Sequence, residues 1–281
     1  MRGTFGRMIK TFLKASVNLL PAGMRRAVKY IPLVAPTQRW LIRYYLGGQA
    51  FVHTLNAGPG AGLKFEVTLP HDKPIWTGTY EYEFVSAIVK HIQKDDVCYD
   101  IGGYRGFVSG VMALAGASRV FVFEPLHANQ KAIARLIELN PKLPISLLPY
   151  AISAEDSSGQ FRMTPDLSMG FLGDSTARGE QVAEFKTMPT TVRHIDSLLK
   201  NQEILRADVV KIDVEGAESS VLKGALNLLR EFRPKVFLEA HSAALERSCS
   251  EILSPLGYRI RRIERHIRSE HSVRHLVCLT C

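Results

Sequence analysis

The sequence has few cysteines, no long apolar run and no excess of charge outside its first segment. Four cysteines in 281 residues (Cys98, Cys249, Cys278 and Cys281) are too few for a disulfide framework, which favours a reducing, cytoplasmic setting. No apolar run approaches the roughly 18 residues that a membrane-spanning helix needs, and no secretory cleavage pattern follows the basic N-terminus. These absences argue against a small disulfide-rich secreted domain and against an integral membrane protein.

Acidic residues are absent from the first 46 residues, which carry nine lysines and arginines. The net charge of the whole chain is also +9, so the rest of the chain is neutral. Apolar residues of the segment 5–20 recur at helical spacing, with basic residues on another face. We therefore expect residues 1–49 to form a basic, partly amphipathic helical leader. Two interpretations stay open, a cap on the main domain and peripheral docking of residues 1–46 on a membrane or a partner. Nucleic acid is a disfavoured partner because no base-reading module accompanies the charge.

The rest of the chain changes pattern once. Residues 50–74 are predicted to form a β-hairpin around the loop "NAGPGAG", as a lead-in to a main domain over residues 75–281. There, apolar strands such as "VCYDIGG", "RVFVFEP", "ISLLPYAIS", "DVVKIDV" and "KVFLEAH" alternate with amphipathic helices, and two strands close the chain. This alternation predicts an α/β fold whose parallel sheet has helices on both faces and an antiparallel edge. The stretch before the helix "HIDSLLKNQ" is expected to be irregular.

An acid and three glycines lie where the first strand of this domain runs into a helix. They are Asp100, Gly102, Gly103 and Gly106, with Tyr104 between the glycines. Glycine allows a sharp turn and a close approach of the backbone to a ligand. The spacing is not the GxGxxG of dinucleotide sites, and Asp100 would repel a pyrophosphate. A cationic ligand such as S-adenosylmethionine suits this turn better.

The second strand ends in Glu124, where a carboxylate can accept hydrogen bonds from both hydroxyls of a ribose. Ligands of such sheets bind at the carboxyl ends of the strands, where the strand order reverses. The acid-terminated strand therefore supports a nucleoside-type ligand.

Three carboxylates crowd the stretch "VKIDVEGAE" at residues 210–218. We expect Asp213 and Glu215 to position a substrate or, with Glu239, to ligate a divalent metal if one is used. Glu218 is interpreted mainly as a helix-start acid. His241, after the next strand, is the leading candidate for general base because its ordinary pKa near 6.5 suits proton removal at neutral pH.

At this point the chain resembles the FkbM family of S-adenosylmethionine-dependent methyltransferases, from about residue 80 to residue 258. The resemblance rests on "VVKIDVEGAESSVLKGA", "DIGGYRGF", "VFVFEPLHAN", "PYAIS", "PTTVRHIDSLL" and "RPKVFLEAH", in that order. It implies a class I methyltransferase fold with a seven-stranded, Rossmann-like sheet. Gly103 and Tyr104 depart from the small residue and asparagine that the family usually has in the glycine turn.

The resemblance also implies an activity and a set of cofactor contacts. It implies O-methylation of a hydroxyl on a sugar, glycolipid or secondary metabolite. Asp100, Gly102 and Gly106 would line the methionyl end of the cofactor, the turn at Ala151 would border the adenine, and Glu81 would close the pocket. The alternative function is a non-catalytic protein of the same fold that docks through its basic leader. The sequence predicts neither the acceptor nor the oligomeric state, although the segment Thr164–Lys186 is expected to contribute to an acceptor lid.

Overall fold

The computed structural model describes residue 48 and residues 50–163, 170–172, 186–263 and 273–280. The predicted basic leader and most of the predicted acceptor lid therefore lie outside the described residues. The chain forms two compact units, Met1–Val85 and Ser86–Cys281, whereas the sequence analysis places the main boundary at residues 74 and 75. In the part of the chain that the structure describes, every helix is too short or too polar to cross a membrane.

The described part of the first unit is a β-hairpin followed by a short helix. Strand β1 (Ala50–Thr54) pairs antiparallel with β2 (Lys64–Thr68), as the sequence predicts, and α1 (Lys73–Trp76) follows. The loop between β1 and β2 packs closely against the turn after α1. A Cβ atom on Gly58 would lie 2.4 Å from the carbonyl oxygen of Gly78. Gly58 is therefore required for close packing, whereas a Cβ atom on Gly62 would meet no atom within 4 Å.

The second unit is built from alternating strands and helices. Its elements are the helix α2 (Tyr82–His91), which begins before the boundary, then β3 (Val97–Ile101), α3 (Phe107–Leu114), β4 (Arg119–Phe123), α4 (His127–Leu139), β5 (Ile145–Leu148), β6 (Ala151–Ile152), β7 (Ser157–Met163), β8 (Gly170–Leu172), β9 (Lys186–Arg193), α5 (Ile195–Lys200), β10 (Val209–Ile212), α6 (Glu218–Lys223), a π-helix (Leu228–Phe232), β11 (Lys235–Ala240), α7 (Ala243–Leu253), a 3-10 turn (Ser254–Leu256), β12 (Tyr258–Arg262) and β13 (Arg274–Thr280).

Seven of these strands form the main sheet, in the order β12-β13-β11-β10-β3-β4-β5. All neighbours pair in parallel except β13, which runs antiparallel to both β11 and β12. The predicted sheet with an antiparallel edge is confirmed. The chain builds outward from β3 to β4 and β5 and then returns to place β10 on the other side of β3. The strand order therefore reverses between β3 and β10, which is where open α/β sheets bind ligands.

A second sheet, β6-β9-β7-β8, occupies the stretch that the sequence analysis leaves irregular. That expectation is wrong for β7 and β9, which pair antiparallel over seven residues. The segment "SSGQFRM" of β7 lacks the apolar alternation of a half-buried strand, and Phe161 is its buried apolar residue among those described. The predicted strand "ISLLPYAIS" is also divided, with β5 in the main sheet and β6 in the second.

The helical segment that begins at Glu218 is interrupted after Lys223. Gly224 closes α6, and its backbone approaches β6 so closely that a Cβ atom would lie 2.1 Å from the carbonyl oxygen of Ser153. The carboxylate of Asp196 then accepts hydrogen bonds from the backbone N–H groups of Asn227 and Leu228 and so starts the π-helix. Long-range contacts, which periodicity does not report, decide this break.

Candidate active site

A buried ion-pair network lies at the switch point between β3 and β10. Lys211 of β10 stands directly opposite Asp100 of β3, and its Nζ atom lies 3.1 Å from Asp100 Oδ1 and 3.3 Å from Asp213 Oδ2. The same ammonium donates a hydrogen bond of 2.7 Å to the carbonyl of Gly102. The lysine ties the ends of both strands together.

The carboxylate of Asp100 is fully buried behind the glycine turn. Its Oδ2 atom accepts a hydrogen bond from the hydroxyl of Ser109, in the first turns of α3. With Lys211 on the other oxygen, Asp100 fixes the start of α3 relative to β10. Ser109 is a site residue that the sequence analysis misses, because a serine inside an apolar helix carries no motif signal.

The glycine turn is shaped by its neighbours. Gly102 has φ of +82°, and a Cβ atom there would lie 1.8 Å from the carbonyl oxygen of Asp213. A Cβ atom on Gly103 would lie 2.2 Å from Val122, and Gly106 adopts a φ of +81° at the start of α3. Only glycine fits these positions, so the predicted sharp turn and close approach are both present.

Glu124 follows β4 and is buried beside this turn. Its two oxygens accept hydrogen bonds from the backbone N–H groups of Tyr104 (2.8 Å) and Leu126 (2.9 Å), and the side chain of Asn129 donates a third. Burial raises the pKa of Glu124 to about 7, although these hydrogen bonds oppose the shift. A carboxylate has about four acceptor positions, so roughly one remains for a ligand hydroxyl.

Four carboxylates surround the imidazole of His241, which lies just after β11. Its Nδ1 atom lies 2.7 Å from Oε1 of Glu218, while Nε2 lies 3.4 Å from Glu215, 3.6 Å from Glu239 and 3.7 Å from Asp213. The structure therefore brings together the three predicted catalytic residues and the third predicted metal ligand. Glu218 stands in the first turn of α6, as predicted, but it is also fully buried against His241.

The charge state of His241 differs from the sequence-based expectation. Burial lowers the pKa of His241, but the hydrogen bond with Glu218 and the charges of Asp213 and Glu215 outweigh it and raise the pKa to about 9. The imidazole is therefore protonated at neutral pH in the ligand-free protein. The premise of an ordinary pKa near 6.5 for a general base is wrong, because the sequence does not show how many carboxylates converge on this ring.

The remaining predicted residues are placed less centrally. Ala151 begins β6 and is buried beside Tyr150, whose ring lies 5.4 Å from the guanidinium of Arg193. Glu81 precedes α2 in the first unit. His275, which the sequence analysis misses, lies opposite Glu239 on β13, with Nε2 3.1 Å from Glu239 Oε2. Only the register of β13 reveals this contact.

The strand order, with its antiparallel β13 and its site between β3 and β10, defines a class I methyltransferase fold. A model of the Methyltransferase FkbM domain matches residues 100–268, well over half of the chain, and the chain belongs to this family. It is an S-adenosylmethionine-dependent methyltransferase.

Individual relatives are more distant. The hexuronic acid methyltransferase AglP of Haloferax volcanii is 28% identical over 174 residues, which cover 62% of this chain and 68% of the relative. A solved FkbM methyltransferase from Methylobacillus flagellatus KT is 18% identical, with a TM-score of 0.43 over 72% of this chain and 52% of that one. This chain thus spans about half of that structure. The precorrin-6y C5,15-methyltransferase of Geobacter metallireducens GS-15 is 12% identical, with a TM-score of 0.45 over 71% of this chain and 89% of that one.

Proposed function

We propose that this protein transfers the methyl group of S-adenosylmethionine to a hydroxyl group of a sugar, in a glycan or small molecule that contains a hexuronic acid. The observation that carries the proposal is the group of carboxylates around His241, next to the glycine turn. The relative AglP, described as a hexuronic acid methyltransferase, supports the class of acceptor.

The residues of the turn fit the cofactor. S-adenosylmethionine supplies a methyl group on a positively charged sulfonium, and its methionyl end also carries an ammonium group. The carboxylates of Asp100 and Asp213 give this edge of the sheet the negative charge that such cations favour. We assign Gly102, Gly103, Tyr104 and Gly106 to the methionyl end and Ala151 to the adenine border. Glu124, with about one acceptor position remaining, accepts one ribose hydroxyl instead of the two that the sequence suggests.

The carboxylates also favour a hydroxyl over a carboxylate as the atom that receives the methyl group. An acceptor carboxylate would lie among Asp213, Glu215 and Glu239 and would be repelled by their charges. A hydroxyl can instead donate its hydrogen bond to one of these oxygens. The product would then be a methyl ether, not a methyl ester.

We assign the proton-accepting role to Glu215 and the positioning role to Asp213. Glu215 has a positive φ of 52°, a conformation that is unusual for a residue other than glycine and that recurs at functional sites. Its side chain is 24% exposed and lies 3.4 Å from Nε2 of His241. In the ligand-free protein His241 is protonated at neutral pH and holds the carboxylates in place by its charge.

The test is a methyl-transfer assay with isotopically labelled S-adenosylmethionine. A panel of glucuronic and galacturonic acid glycosides is compared with the matching neutral hexosides. The proposal expects label in the uronic acid glycosides that survives mild alkali, since ethers resist alkali and esters do not. Label that is lost in alkali would contradict hydroxyl methylation. Label confined to the neutral hexosides would contradict the acceptor class.

A further inference from the structure

Three side chains at the carboxyl ends of β10 and β11 each place one donor atom within 4.8 Å of the others. They are Asp213, Glu239 and His241. Oδ1 of Asp213 and Oε1 of Glu239 lie 3.7 Å and 3.6 Å from Nε2 of His241. Such separations are too long for normal hydrogen bonds, which run from about 2.7 to 3.2 Å.

The same separations fit neighbouring ligands of one metal ion. Ligands about 2.1 Å from an ion lie about 3.0 Å apart at right angles and about 3.4 Å apart in a tetrahedron. Each of the two carboxylate oxygens needs to approach the imidazole nitrogen by only a few tenths of an ångström to reach this range.

The second polar atom of each of these side chains is already engaged. Lys211 Nζ lies 3.3 Å from the other oxygen of Asp213, and His275 Nε2 lies 3.1 Å from the other oxygen of Glu239. Glu218 holds Nδ1 of His241 at 2.7 Å. Metal ligands are typically oriented by such outer contacts, above all a histidine by a carboxylate. Each of the three side chains is therefore held through one polar atom, and its other polar atom faces the common point.

Glu218 provides a separate sign of uncompensated negative charge, on the Nδ1 side of the His241 ring. Its side chain is fully buried and lies against His241, and within the described residues its Oε2 atom has no hydrogen-bond partner. A buried carboxylate oxygen without a donor is costly, and a nearby divalent cation would offset that cost.

We propose that Asp213, Glu239 and His241 bind one divalent cation, with Mn²⁺ as the best match to two carboxylates and one imidazole. Binding of the ion displaces the proton that Nε2 of His241 carries in the ligand-free protein. The ligand set differs from the one that the sequence suggests, because His241 takes the place of Glu215. Three protein ligands leave positions open for hydroxyl oxygens of the acceptor.

The role of this ion in the reaction rests on the proposed function. A hydroxyl bound to the ion has a lowered pKa. Its proton passes to Glu215, and the oxygen forms a bond to the methyl carbon while the carbon–sulfur bond breaks. The electron pair of that bond stays on sulfur, which leaves a neutral thioether.

Binding can be tested without a substrate, by titrating the full chain with MnCl₂ and following free Mn²⁺ by electron paramagnetic resonance. We expect one site in the wild type, with affinity at least tenfold weaker in E239Q and H241Q. E138Q is the matched control, because Glu138 is an exposed carboxylate paired with Arg135, and it should bind like the wild type. Circular dichroism confirms that each variant is folded.

The inference is overturned if the wild type binds Mn²⁺ and Zn²⁺ no more tightly than a D213N/E239Q double variant. Calorimetric titration with S-adenosylhomocysteine in the same samples separates this failure from that of the proposed function. Cofactor binding without a metal site removes only the inference. Loss of cofactor binding in the wild type contradicts the proposed function, whatever the result with Mn²⁺.

Discussion

Lys211 and Asp100 form a buried ion pair that joins β10 to β3 at the point where the strand order reverses. Nζ lies 3.1 Å from Oδ1, and the two side chains are 3% and 0% exposed. The pair lies directly across the sheet, and Lys211 also holds the carbonyl of Gly102 and the carboxylate of Asp213. One lysine thus connects the glycine turn to the carboxylates around His241.

Replacing Lys211 with methionine should destabilise the protein strongly. The change leaves the charge of Asp100 buried without its cation, which costs about 3–5 kcal/mol. Lys235→Met is the matched control, since Lys235 is 30% exposed and lies 3.4 Å from Asp96; it should cost about 1 kcal/mol or less. Urea unfolding measures both. Equal losses of stability in the two variants would contradict a larger structural role for Lys211 than for Lys235. The double variant K211M/D100N should recover part of the stability that K211M loses.

Gly102→Ala should cost much more than Gly257→Ala. Both glycines have nearly the same φ, +82° and +86°, so the backbone strain of about 1–2 kcal/mol is shared. A Cβ atom on Gly102 meets the carbonyl of Asp213 at 1.8 Å, whereas one on Gly257 meets no atom within 4 Å. Thermal unfolding should show the larger loss of stability for Gly102→Ala, and titration with S-adenosylhomocysteine should show a loss of binding for Gly102→Ala alone. Similar behaviour of the two variants would contradict the close approach of the strand ends.

Cofactor affinity should rise with pH between about 6 and 8. Burial raises the pKa of Glu124 to about 7, so below that pH the side chain of the ligand-free protein is mainly protonated. It must lose this proton to accept a hydrogen bond from a ribose hydroxyl as a carboxylate. The affinity should therefore fall below pH 7 and level off above it. Calorimetry across this range measures the effect. In Glu124→Gln the affinity should be lower and this pH dependence absent; an unchanged pH profile in the variant would exclude Glu124 as its source.

Glu218→Gln should weaken Mn²⁺ binding by about 10- to 100-fold, the usual cost of losing an outer partner of a metal ligand. The amide cannot supply the negative charge that Glu218 places 2.7 Å from His241. The affinity for S-adenosylhomocysteine should change less, because the hydrogen bonds of Glu218 run to His241 and to the backbone N–H of Gly216. Wild-type Mn²⁺ affinity in this variant would argue that Glu218 does not orient His241.

The alternation of strands and helices and the glycine turn could be predicted because both depend on local patterns. The buried strands around Asp100 and Asp213 are short apolar runs that end in acids, and the turn needs glycine for backbone reasons that act within a few residues. The strands β7 and β9 could not be predicted, because polar residues fill them and their stability comes from pairing distant in sequence.

The candidate site shows the same division. The sequence shows that Asp213, Glu215 and His241 follow neighbouring strands, and they do converge. It does not show that Glu218 turns inward or that His275 meets Glu239, since both depend on helix orientation and strand register. The raised pKa of His241 depends on those contacts, so it could not be predicted from the sequence pattern either.

The most direct test of the account is a calorimetric titration of the wild-type protein with S-adenosylhomocysteine at pH 8. The account predicts one site per chain, with binding at least tenfold weaker in Glu124→Ala. No binding in the folded wild type, or the same affinity in both proteins, would contradict a cofactor site between β3 and β10.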